Sequence, residues 1–145
     1  MGILCIGNSH VNTFSNKPNL TLEFKNEFFE GRHIGPVIAY NFLEHHLDKV
    51  LSIYHSSNIN EDSYLTLVAG EVDCRLHIPV HSDKEKISDE EITFKCINRF
   101  FLCYEKLLSM GIKCIVFSTH PTTLASHDMR FAEMPIYDCW QRRNQ

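Results

Sequence analysis

The order of apolar and polar positions along the chain predicts strands and helices in turn. Gly2 to Ile6 reads as a short apolar strand, Leu20 to Phe24 as a second, Lys49 to Tyr54 as a third rich in β-formers, and Leu65 to Ala69 as a fourth. Val37 to Lys49 reads as helical. The segment from Ser88 to Met110 carries the clearest helix signal. Ser88 can cap it, and Glu91, three residues on, completes a capping box. Ile92, Cys96, Ile97, Phe100, Cys103, Tyr104, Leu107 and Leu108 then recur at the spacing of one helical face, and Gly111 stops the run. Ile112 to Ser118 is a further short strand, broken by Pro121. Strands joined by helical crossovers predict a single α/β domain over residues 1–145. The expected form is three layers around a mostly parallel sheet, with the first strand central between Lys49–Tyr54 and Leu65–Ala69.

The stretch AGEVDCRLHIPV, from Ala69 to Val80, departs from the pattern of a buried strand. Glu71, Asp73, Arg75 and His77 alternate with Val72, Cys74, Leu76 and Ile78. If the backbone stays extended, the ionisable side chains share one face. The expectation is that the fourth strand leaves the core here and lends a polar edge to a crevice.

Composition narrows the classes. At 145 residues and 43% hydrophobic content, the chain can bury one sizeable core. A formal charge of −4 with scattered Lys and Arg gives no footprint for nucleic acid, so none is expected as a partner. No apolar run approaches the ~18 to 20 residues that span a bilayer. The start Met-Gly-Ile-Leu-Cys-Ile lacks the basic flank of a signal peptide, and a cytoplasmic protein without membrane contact is expected. The six cysteines contain no Cys-x-x-Cys pair and read as buried thiols. His45-His46 reads as helix-surface chemistry. Neither a metal nor a cofactor is expected.

In a parallel sheet, chemistry gathers where strands end at their carboxyl edge. Gly7-Asn8-Ser9-His10 follows the first strand, Gly70-Glu71-Val72-Asp73 the fourth, and Ser118-Thr119-His120-Pro121 the last. Taken singly, a Gly-Asn-Ser turn caps a helix and a His-Pro pair ends a strand. Their coincidence marks a candidate site.

Together these segments resemble the blocks of the SGNH, or GDSL-like, hydrolases. ILCIGNSHV resembles the nucleophile block, with Ser9 at the nucleophile position and Asn8 in place of the usual Asp. RHIGPVIAYN is similar to the second block, with Gly35 at the oxyanion-binding glycine. LVAGEVDCR is similar to the third, matching at Gly70 and Asp73, with Val72 where the family has Asn. It also looks like a GEVDCR-type variant of the fold associated with bacterial and viral polysaccharide-related proteins. The resemblance implies an SGNH-hydrolase-like, flavodoxin-like fold. It also implies a serine nucleophile at Ser9 and oxyanion donors from the Ser9 and Gly35 N–H groups. Arg75 is the candidate replacement for the donor that Val72 cannot supply. Asn8, His10, Gly70 and Glu71 complete the expected crevice.

The family's late Asp-x-x-His block has no counterpart. Asp128 is followed by Met-Arg-Phe and Asp138 by Cys-Trp-Gln, so the chain reads as C-terminally shortened or as a fragment. His10, His77 and His120 are the candidate bases, with Asp73 and Glu71 available to orient His77. A structural alternative makes Asp73 and Arg75 a partly buried ion pair that ties strand ends together. Two functions follow. One is a serine esterase or acyltransferase acting on a small ester or a sugar O-acyl group. The other is a catalytically inactive SGNH-like binding or assembly domain. An apolar edge left by a missing strand and helix would be covered by a homo-oligomer or a partner chain.

Overall fold

The computed structural model describes residues 2–14, 28–57, 59 and 62–117. Its centre is a three-stranded parallel sheet in the order β2-β1-β3, built from β1 (Gly2–Gly7), β2 (Phe28–His33) and β3 (Tyr64–Val68). Gly7 is level with His33 on one side and with Val68 on the other. The three strands therefore end together at their carboxyl edge. A 3-10 helix, Ser9–Phe14, follows β1. Helix α1 (Phe42–Ser56) joins β2 to β3, and α2 (Ile78–Glu85) and α3 (Asp89–Ser109) follow β3. The fold is a mixed α/β one with the first strand central.

Strand alternation sorts the core between the two faces of the sheet. Leu4, Ile6, Leu65 and Leu67 pack with Phe42 and Val50 of α1 and with Cys103, Tyr104 and Leu107 of α3. On the other face, Cys5 and Val68 meet Val11 of the 3-10 helix. Cys74, Ile78, Ile92 and Cys96 form a separate cluster between α2 and α3. Among the described residues, no helix is long and apolar enough to cross a membrane.

Helix α3 follows the sequence signal in its bounds, but Ile97 and Leu108, expected on one face with Ile92, Cys96, Cys103, Tyr104 and Leu107, are exposed, because the buried face is narrower than the apolar run. Ser88 caps it by accepting the Glu91 N–H at 3.2 Å, and Gly111 leaves it at φ +80°. Lys49–Tyr54, expected as a strand, is instead the second half of α1. Phe42, Leu43, Leu47, Val50, Leu51 and Tyr54 recur at helical spacing, and their packing onto β1 and β3 overrides the β-preference of Val50 and Ile53. The flank of β1 assigned to that segment is held by β2, whose sequence FFEGRH carries a glycine and charges. Leu20–Phe24 lies outside the described residues.

The stretch after β3 is helical as well. Gly70, at φ +100°, turns the chain, and the Cys74 N–H bonds to Gly70 O at 3.0 Å to open a helix. Asp73–His77 forms a π-helical turn that runs into α2. Glu71, Asp73, Arg75 and His77 thus do not share an extended face. The expected strand Ile112–Ser118 makes one parallel bridge, Cys114 to Leu65, on the outer side of β3.

Candidate active site

Gly7 brings the central strand up against its neighbour. A Cβ built on it would lie 2.0 Å from the Val68 carbonyl oxygen, so only glycine fits. The ladder continues past the strand ends, with the Asn8 N–H on Val68 O at 3.1 Å and the Ile34 N–H on Gly7 O at 2.9 Å. Asn8, 5% exposed, turns its Oδ1 back to accept the His10 backbone N–H at 3.1 Å, with the His10 Nδ1 at 3.0 Å. That cap starts the 3-10 helix and leaves Ser9 exposed at the carboxyl edge. The His10 ring is engaged by Asn8.

Gly35 follows β2 at the same edge. Its φ of +108° is a conformation L side chains rarely adopt, and the space where a Cβ would stand is empty. Gly70 follows β3 at φ +100°. Turns after three adjacent parallel strands, carrying Ser9, Gly35 and Gly70, therefore meet at one edge of the sheet.

Asp73, 2% exposed, accepts the Ala39 N–H at 2.6 Å and the Tyr40 N–H at 3.1 Å on its two oxygens. These bonds tie the 34–41 segment, which bears Gly35, to the turn after β3. Burial pushes the Asp73 carboxyl above its ordinary value. The Ala39 and Tyr40 N–H groups, then the positive potential of His77, pull the other way.

His77 belongs to a column of rings. It stacks on His81 at 5.9 Å, His81 stacks on Tyr40 at 5.4 Å, and the Arg99 guanidinium carbon lies 4.5 Å over Tyr40. Glu85 faces His81 Nδ1 at 3.0 Å. The spacing Asp73, His77, His81, Glu85 is a four-residue repeat, the signature of one helix face, which reading the stretch as extended conceals. Ala39 and Tyr40, which secure the loop through their backbones, left no side-chain signal.

Glu71 is half-buried at the start of this helical stretch, Val72 is half-buried beside it, and the Arg75 backbone lies within the π-helical turn. His120 lies outside the described residues. Among those described, no group of three or more His, Cys, Asp or Glu side chains could hold a metal ion. Cys5, Cys74, Cys96 and Cys103 are buried free thiols, and Cys114 is a partly exposed one. No family model, curated protein or solved structure matches this chain.

Proposed function

We propose that the protein is an SGNH-like serine esterase or acyltransferase acting on a small ester or a sugar O-acyl group. The observation that carries this reading is the meeting of Ser9 with the Gly35 and Gly70 turns at the carboxyl edge of parallel strands held in register. Ser9 Oγ attacks the acyl carbonyl, its proton passes to a base, and the Ser9 and Gly35 N–H groups hold the developing oxyanion. Collapse of the tetrahedral intermediate breaks the ester C–O bond, and the departing alcohol takes the proton back from the base; the acyl group then passes from Ser9 to water or to an acceptor hydroxyl, whose proton the base removes.

His120 is the proposed base. It follows the 112–117 segment, which is parallel to β3 at its Cys114 bridge. Asp73 acts as a positioning residue, through its hold on the Gly35 loop. Arg75 is the proposed stand-in for the donor missing at Val72. Without that stand-in, a missing oxyanion donor costs on the order of 10²- to 10³-fold in rate. A third sheet-covering layer and a cytoplasmic location belong to the same reading. The free thiols of the described cysteines support the location, since disulfides are rare in reducing compartments.

One observation favours a second reading, an inactive SGNH-like domain that binds a ligand or a partner. Both Asp73 oxygens are held by the Ala39 and Tyr40 N–H groups, so the described bonds of this carboxylate anchor the loop and do not orient a base. Labelling with a fluorophosphonate and turnover of a short-chain aryl ester separate the two. The esterase reading expects both to occur and to vanish in Ser9→Ala with the fold unchanged. Absence of both in the wild-type protein overturns it.

A further inference from the structure

Helix α3 carries a second apolar surface beside the one it buries. Ile92, Cys96, Cys103, Tyr104 and Leu107 face the protein. Phe94, Ile97, Phe101 and Leu108 are 64%, 46%, 46% and 55% exposed. Their spacing of three, four and seven residues sets them along one side of the helix, a stripe interrupted at position 104, where Tyr104 turns into the core. With 150–250 Å² available on a phenylalanine, half-exposure of these side chains presents roughly 400 Å². That is about half of what one partner contributes to a standard interface.

The ends of the stripe differ in charge. At its start stands Glu90, beside Asp89 and Glu91 in the first turn of α3, where the helix dipole is positive. Just past its end stands Lys113, exposed and 3.7 Å from the exposed carboxylate of Asp62. The midpoint between Phe94 and Leu108 is Phe101.

We propose that this stripe pairs with the same stripe of a second copy of the chain, antiparallel, about a two-fold axis at Phe101. In that arrangement Phe101 meets its own mate, Phe94 meets Leu108, and the acidic first turn of each helix lies by Lys113 of the other. The helix dipoles oppose one another, whereas parallel pairing would set the acidic turns side by side. The modest area makes the dimer a reversible one.

Sedimentation of the full chain over a concentration series tests the association. A monomer–dimer equilibrium is expected, with Phe101→Glu weakening it at least tenfold. Glu90→Lys should weaken it and Lys113→Glu, added to Glu90→Lys, should restore it. In a Cys114→Ser, Cys139→Ser background, mild oxidation should link Phe101→Cys to itself. Phe94→Cys should link only when mixed with Leu108→Cys. A monomer at every concentration, including one whose stripe is covered from within the chain, overturns the proposal. So does a dimer indifferent to Phe101→Glu, or self-linking of Phe94→Cys without self-linking of Phe101→Cys.

Discussion

The hydroxyl of Tyr104 occupies the outer edge of β3 at Leu67. It accepts the Leu67 N–H at 3.1 Å and donates to Leu67 O at 3.3 Å. Two residues earlier, the Leu65 N–H and carbonyl are paired by Lys113 O at 2.8 Å and the Ile115 N–H at 2.9 Å. A regular parallel ladder would bring the next backbone groups of the 112–117 segment to Leu67. A helix side chain takes their place, and pairing on that side stops after one bridge.

Tyr104→Phe keeps the ring in the core and removes both bonds. Leaving a buried N–H and a buried carbonyl without partners should lower stability by about 1–3 kcal/mol. A urea midpoint shifted down at unchanged slope checks the magnitude. Faster amide exchange at Leu67 than at Leu65 locates the cause. Burial also holds the Tyr104 phenol up at about 12, so its share of the phenolate absorbance, read as the difference between the wild type and Tyr104→Phe, should be absent before unfolding as pH is raised to 11.

Asp73→Asn should weaken the clamp on the 34–41 segment. Asparagine accepts through one oxygen only and sets an amide against the second N–H, so a loss of about 1–3 kcal/mol is expected. The pH dependence has a definite sign. The folded carboxyl is raised above its ordinary 3.8, so its contribution is full below that value and is lost as pH climbs through the folded value. Urea midpoints from pH 3 to 7 should therefore fall on this account in the wild type, and the fall should be absent in Asp73→Asn.

Gly7→Ala and Gly35→Ala should differ in kind. At Gly7 the new methyl meets a backbone carbonyl at 2.0 Å, and β1 and β3 must part. The cost should exceed the ~1–3 kcal/mol of ordinary overpacking. At Gly35 the space is open and only the φ of +108° resists, at a cost on the order of 1–3 kcal/mol. Thermal melts should rank Gly7→Ala well below Gly35→Ala. Under the esterase reading, Gly35→Ala should lose rate beyond its loss of stability.

Thiol chemistry offers a further check. Burial pushes Cys5, Cys96 and Cys103 up to about 12 and Cys114 to about 11. At pH 8 the thiolate fraction of the first three is on the order of 10⁻⁴. An aromatic disulfide reagent should label them only after denaturant is added. Rapid labelling of Cys5 in the native protein would contradict its burial between the central strand and Val11.

Elements whose local preference agreed with their packing were legible in the sequence. The first strand was, and so was α3, where the Ser88 cap, the four-residue apolar recurrence and Gly111 all point one way. Val50 and Ile53 mislead because β-branched side chains favour strands only weakly, and a helix face presented to the sheet outweighs them. The Glu71–His77 alternation misleads for a different reason. A period of two in charge says nothing unless the backbone is extended, and Gly70 redirects it into a helix. In the candidate site, Ser9 and Gly70 could be anticipated because strand ends mark them, whereas Gly35 followed only from the family resemblance, since β2, with its glycine and charges, does not read as a strand. The partners of Asp73 could not, since Ala39 and Tyr40 act through backbone N–H groups, which every sequence contains.

Gly7 also bears on how the chain finds its pairing. Sliding β1 by one residue against β3 would bring the side chain of Ile6 or Asn8 to the place where the Val68 carbonyl now fills the Cβ position. The slip would also turn Leu4 and Ile6 away from α1 and α3. Mis-registered sheets are thus rejected twice, once by a collision of backbone and side chain and once by exposure of the core. The collision acts as soon as the two strands meet, before any helix has packed to report the error.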